Sequence, residues 1–199
     1  MKKILLINCC REERDVRIKS YTDYILKASE KIGADFSIEE VYDADILPAR
    51  KDFSAVMISG SASMISRGEY EEELLEFISR NIMPLLGICY GHQVLARAFG
   101  CSVRKGSRHH KGYEEILKVK HDKILEGFPE KFQMHESHWE YVIGDSSFND
   151  NFELLAVNSE GGIECVKHRN LPVYGVQFHP EMSGENGIIL LMNYLKILV

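Results

Sequence analysis

The sequence predicts an α/β protein with an open, mostly parallel twisted sheet, helices on both faces, and antiparallel strands added in the second half. Three observations carry this. Short apolar runs alternate with amphipathic stretches in the first half, as at Ile4–Asn8, Ala55–Ser59 ("AVMIS") and Met83–Ile88. Runs that are apolar on both faces suit parallel strands covered by helices. At "GICYGHQ", Gly87–Gln93, a strand turns sharply into a helix over a cysteine set between two glycines. In the second half, strand-like runs follow one another through turns such as Gly161-Gly162.

The elements follow in order. Ile4–Asn8 reads as a buried strand. Arg14–Ile32 has an apolar helical face of Val16, Ile18, Tyr21, Tyr24, Ile25, Ala28 and Ile32, stopped by Gly33. Phe36–Val41 and Ala55–Ser59 are strands. Tyr70–Arg80 is a helix with Leu74, Leu75, Phe77 and Ile78 inward. Met83–Ile88 is a strand and Gly91–Phe99 a helix. Strands are then expected at Glu115–Val119, Phe132–His135, Glu153–Asn158, Ile163–Lys167 and Val173–Gln177, with a closing helix over Gly187–Ile197. The basic stretch Arg104–Lys111 ("RKGSRHHK") reads as a solvated loop. No linker, repeat or low-complexity segment interrupts the pattern, so residues 1–199 are expected to form one domain.

A net charge of −6 argues against nucleic acid as a partner. The apolar run after the first three residues is too short for a secretory leader, and no stretch has the length of a membrane span. The five cysteines show no framework spacing and are expected to be reduced thiols in a cytoplasmic protein. Paired His and Cys positions (His135 and His138, His109-His110, Cys9-Cys10) lack the second pair of a zinc site, so neither metal nor cofactor is expected.

Gly87-Ile88-Cys89-Tyr90-Gly91 fits a nucleophile elbow, which lifts its central side chain above the C-terminal edge of a sheet. The dipole of the following helix favours a thiolate there. Cys9, Cys10, Cys101 and Cys165 are expected to be structural. A second strand end, "VYGVQFHPE", supplies a base: His179 can face Cys89 from a neighbouring strand, and Glu181 can turn back to orient its ring. Glu185 is a poorer third member, and Pro180 is expected to keep the segment from being helical. His92 is expected to pack and hydrogen-bond within the elbow.

"GICYGHQ" and "GVQFHPE", with Cys89 and His179 ninety positions apart, resemble the class I glutamine amidotransferases from about Lys3 to Ile197. Ile163–Glu181, with "SHWE" before it, is most similar to the glutaminase subunit or domain of GMP synthetase. The resemblance implies a flavodoxin-like fold and hydrolysis of the glutamine side-chain amide through a Cys89 thioester, with Cys89, His179 and Glu181 as triad. It implies an oxyanion hole from the Tyr90 amide and the Ser61 amide, in a loop that reads Ser59-Gly60-Ser61-Ala62 where the family usually has Gly-Gly-Pro. L-glutamine would be held around Gly60, Ser137 and His138, and by Gln93, which lies four residues after Cys89, one helical turn on, and so can face the same crevice. Trp139 and Glu140 depart from the family's Ser-His-Gly-Asp segment, and Trp139 could narrow the pocket or meet a partner. No phosphate-binding glycine motif occurs, so ammonia is expected to pass to a separate synthetase subunit. The docking face is expected near Ser61–Gly68 and Arg104–Gly112. A γ-glutamyl peptide or amide hydrolase, and a non-catalytic regulatory subunit of the same fold, remain open on these residues.

Overall fold

A computed structural model of the chain describes residues 2–10, 14–43 and 52–199, with side chains from residue 17 onward in the second stretch. In chain order its regular elements are β1 (Lys2–Asn8), α1 (Arg14–Lys31), β2 (Phe36–Tyr42), β3 (Ala55–Ile58), α2 (Glu72–Arg80), β4 (Leu85–Ile88), α3 (Tyr90–Ala98) and β5 (Val103–Lys118). They continue with β6 (Lys131–Val142), α4 (Ser146–Asn151), β7 (Phe152–Asn158), β8 (Ile163–His168), β9 (Val173–Val176) and α5 (Gly184–Ile197). All the strands join one sheet in the order β2-β1-β3-β4-β9-β8-β7-β5-β6. From β2 to β9 the pairs are parallel; from β9 outward they are antiparallel.

Alternation along the central strands divides the core. Ile4 and Leu6 of β1, Ala55 and Met57 of β3, and Leu86 and Ile88 of β4 face the layer of α1 and α5, among Ile18, Ile25, Leu190 and Tyr194. Leu5, Ile7, Val56, Ile58 and Leu85 point to the opposite layer, with Leu74, Ile78, Val94 and Leu95 of α2 and α3. The α1 face is as expected at Ile18, Tyr21, Ile25 and Ala28, whereas the Val16 side chain lies outside the described residues. On α2, Leu74 and Ile78 are buried while Leu75 and Phe77 are partly exposed at the rim of the core.

The second half departs from expectation in one large feature. β5 and β6 form a long antiparallel ribbon, paired from Val103–Val142 to Leu117–Lys131 with an irregularity between Lys105 and His110. Arg104–Lys111 is therefore strand and not a loop. Its charged residues are the exposed face of a ribbon only part of which meets the core, and this gave no apolar alternation to read. β6 itself alternates strictly, with Phe132, Met134, Glu136, His138, Glu140 and Val142 buried. The polar identity of three of those inward residues hid the strand beyond His135. The short helix α4 was not expected either; its start is capped by Asp145, whose carboxylate accepts from the Phe148 amide at 2.9 Å.

Candidate active site

The elbow begins with β4 and ends with α3. Cys89 has φ 53°, ψ −105°, and is the only non-glycine residue with positive φ among the described residues. A left-handed backbone costs an L-residue about 1–2 kcal/mol, so the turn is held by its surroundings. Its amide donates to the Val176 carbonyl at 2.8 Å, and its carbonyl accepts from Gln93 at 3.1 Å, locking strand into helix. The flanking glycines allow close passage: a Cβ on Gly87 would stand 2.4 Å from the Gly91 carbonyl oxygen, and one on Gly91 2.4 Å from that of Ile58.

His179 leaves the end of β9, next to β4 in the sheet, so base and thiol rise from adjacent strand ends. Its Nδ1 lies 2.6 Å from Glu181 Oε1. Pro180 is at the first position of a single 3-10 turn, Pro180–Met182, and this corrects the expectation that it excludes helix. Proline is tolerated at the first helical position because its missing N–H has no intrahelical acceptor. The turn curls Glu181 back under the ring. Ser183 fixes it further, donating from its hydroxyl to the His179 carbonyl at 2.6 Å.

Gly60 closes the third side. A Cβ there would meet His179 Cε1 at 3.1 Å, Cys89 Cβ at 3.6 Å and the Tyr21 hydroxyl at 2.8 Å, so imidazole, cysteine and the loop after β3 converge on one point. The Gly60 amide donates to the Tyr21 oxygen at 2.9 Å. Ser61 does not take positive φ, so replacement of the family glycine carries no left-handed penalty. Its hydroxyl accepts from the Ser63 amide at 3.1 Å and closes the loop on itself. Tyr90, the first residue of α3, is buried, and its hydroxyl donates to the Glu69 carbonyl at 3.1 Å.

Burial lowers the His179 pKa, but the adjacent Cys89 and the Glu181 carboxylate outweigh it and hold the ring well above the usual histidine range. Its Nε2 is buried without a hydrogen bond of ordinary geometry. Burial and the charges of Glu181 and Cys89 push the Tyr21 phenol well up.

β6 runs across these strand ends. The Ser137 carbonyl lies 3.9 Å from Cys89 Sγ, and the His135 carbonyl accepts from the His179 amide at 2.8 Å. Cys89 is consequently only 3% exposed. Glu140 reaches from β6 to the loop after β3, accepting from the Ile65 amide at 2.7 Å and the Ser66 amide at 3.1 Å. Gln93 is committed: its Nε2 donates to the Glu140 carbonyl at 2.9 Å and to Gln177 Oε1 at 3.1 Å. It ties α3 to β6 and to the end of β9. Gln177, which sequence reasoning passed over, donates from Nε2 to Cys89 Sγ at 3.7 Å. Its signal was its spacing, two residues before His179 in an extended strand end and hence on the same face.

His138 is engaged within the ribbon. Its Nδ1 lies 2.7 Å from the Glu140 carbonyl and its ring stacks on His110 at 4.7 Å. Trp139 is 43% exposed, stacked on His109 at 4.8 Å with Lys105 over its ring, so it does not narrow the pocket. His92 packs fully buried, with neither ring nitrogen hydrogen-bonded, and burial lowers its pKa to about 3. The expected hydrogen bond is absent because its Nδ1 faces the backbone at Gly175, where a Cβ would stand 2.4 Å away. Cys9, Cys10, Cys101 and Cys165 are buried.

The family model described as glutamine amidotransferase class-I matches residues 17–195. The chain belongs to the class I glutamine amidotransferase family. Within the family, a Pyrococcus abyssi protein named as a glutamine-hydrolyzing GMP synthase subunit is 38% identical over 145 residues, 72% of this chain and 75% of that one. A protein of the same name from Methanococcus aeolicus is 32% identical over 74% of this chain and 75% of its own length. A crystal structure of a glutamine amidotransferase from Thermotoga maritima superposes with a TM-score of 0.69 at 20% identity, over 98% of this chain and 83% of that one. A provisionally named GMP synthase subunit from Thermoplasma acidophilum gives 0.79 at 24% identity, over 100% of this chain and 94% of that one. At these identities the two structures speak for the shared α/β fold. Among the described residues, no helix of this family member is long and apolar enough to cross a membrane.

Proposed function

We propose that the protein hydrolyses the side-chain amide of L-glutamine to glutamate and ammonia, and delivers the ammonia to a separate synthetase subunit. The observation that carries this is the strained elbow placing Cys89 beside a histidine whose far nitrogen is held by a carboxylate. Cys89 attacks the amide carbon. His179, through Nε2, delivers a proton to the departing ammonia and then takes one from the water that cleaves the thioester. Glu181 fixes the ring and its charge. The Ser61 and Tyr90 amides are assigned to the oxyanion, since they border Gly60 and Cys89 where that charge develops. Gly60 and Ser137 line the substrate's approach, while Gln93 and His138 act one layer back by holding β6.

The relatives named as glutamine-hydrolyzing GMP synthase subunits support an acceptor of the GMP synthase type, carried on another polypeptide. Burial of the thiol under Ser137 supports a resting state that opens when that partner docks. Residues 1–199 then act as one glutaminase domain, in the cytoplasm, where its cysteines would stay reduced. The test is a glutamine-analogue electrophile followed by mass spectrometry, with and without the synthetase partner. An adduct on Cys89, faster with the partner, is expected. No adduct under either condition would leave the fold in a non-catalytic role, and faster turnover of γ-glutamyl peptides than of glutamine would make the protein a γ-glutamyl hydrolase.

A further inference from the structure

Next to Ser137 on β6, three ionisable side chains from two strands meet without any counter-charge of their own. Glu136 and His138 project from the buried face of β6 and Glu164 from β8. One ligand atom from each lies within 4.8 Å of the others. Both Glu136 oxygens, Glu164 Oε2 and His138 Nε2 are buried without hydrogen bonds, and the Glu136 side chain is fully shielded from solvent.

Uncompensated, this grouping is expensive, because a buried carboxylate needs a cation or a proton. The surrounding bonds suit a cation. His138 directs Nδ1 at the Glu140 carbonyl at 2.7 Å, an acceptor, so the ring proton sits there and Nε2 presents a lone pair. That lone pair is 3.3 Å from Glu136 Oε2, two electron-rich atoms facing one another. Asn158 Nδ2 donates to Glu164 Oε1 at 2.8 Å and leaves Oε2 turned inward. A backbone carbonyl on the outer histidine nitrogen and an amide on the outer carboxylate oxygen are the supports that orient metal ligands. A cleft of about 710 Å³, lined by His110, His138, Asn158 and Glu164, gives an entry path.

We propose that Glu136, His138 and Glu164 hold one divalent transition-metal cation of the zinc or manganese type. Two carboxylates and one imidazole neutralise it and match its preference for oxygen and nitrogen donors. It joins β6 to β8, which are not neighbours in the sheet. Pinning β6 fixes the Ser137 carbonyl over Cys89, so the ion sets how far the ribbon covers the nucleophile and does not act on the substrate.

The test uses the full chain carrying Cys89→Ala, which removes the active-site thiol as a competing ligand. The protein is stripped with a chelator, dialysed, and titrated with Zn²⁺ and separately with Mn²⁺ by calorimetry. One ion per chain and a rise in Tm are expected. Both should be lost with Glu136→Gln or Glu164→Gln, and affinity should fall about 10–100-fold with Asn158→Ala. Binding of neither ion would overturn the proposal, leaving the carboxyls to share a proton; so would binding indifferent to both glutamine substitutions. Should those variants fail to fold, the absorption of the Co²⁺-loaded Cys89→Ala protein decides. Weak ligand-field bands of an oxygen and nitrogen set support the site, and intense thiolate charge transfer overturns it.

Discussion

Glu181 Oε1 lies 2.6 Å from Nδ1 of His179, two residues earlier in the chain, because one turn of 3-10 helix started by Pro180 folds the carboxylate back beneath the ring. Replacing Glu181 with Gln keeps the shape and removes the charge. The imidazole then loses both its tautomer control and the partner of its charged form. Turnover of glutamine should fall roughly 10²–10⁴-fold with little change in KM, read from steady-state glutamate release in the presence of the partner.

The same pair predicts how stability depends on pH. The folded-state pKa of His179 is raised above its unfolded value, so its contribution is complete below the ordinary histidine value of about 6.5 and is lost as pH climbs through the raised one. The stability difference between wild type and Glu181→Gln should therefore shrink as pH rises through that window. Ring titration followed by NMR should place the His179 midpoint lower in Glu181→Gln, and lower also in Cys89→Ala. An unchanged midpoint in both would contradict the assigned cause.

At the elbow, Cys89→Ala should abolish glutamate production while leaving a folded protein. Cys89→Gly should be as inactive, yet more stable than Cys89→Ala by about 1 kcal/mol, since glycine adopts φ 53° without strain. Equal denaturation midpoints would show that the turn stores no such strain.

Gly91→Ala is expected to be far more damaging than an ordinary surface helix change. The new methyl would sit 2.4 Å from the Ile58 carbonyl oxygen, and neither backbone can yield easily. A loss of about 3 kcal/mol, at the upper end for overpacking, should be visible in urea unfolding. A loss under about 1 kcal/mol would mean that α3 can lift from the sheet.

Glu140 joins the ribbon to the loop after β3 through two amides, at Ile65 and Ser66. Glu140→Ala strands both donors and should cost about 1–3 kcal/mol. It should also loosen the cover over Cys89, so thiol labelling should speed up in the variant. Labelling no faster than in wild type would place the gate elsewhere.

Much of the site's geometry was legible in the sequence. Glycines flanking a cysteine at a strand–helix junction permit few backbones, and apolar strand runs dictate which ends lie side by side. Cys89, His179 and Glu181 were therefore readable as local pattern plus topology. What escaped was set by contacts far apart in sequence. Arg104–Lys111 looks solvated because one face of the ribbon is, and its strand nature depends on pairing with β6. Gln93 looks like a substrate contact by its helical spacing from Cys89, but the Glu140 carbonyl and Gln177 claim its amide.

The sequence by itself determined the doubly covered parallel sheet, the elbow and the strand ends that carry Cys89, His179 and Glu181, since each depends on residue types at short, fixed spacing. Only the tertiary structure decided that β6 lies over the thiol, that Tyr21 holds the Gly60 amide, and that Glu136, His138 and Glu164 meet. Those are meetings of buried polar groups from separate strands and helices, and a polar residue on an inward face gives no periodic signal of what it will face.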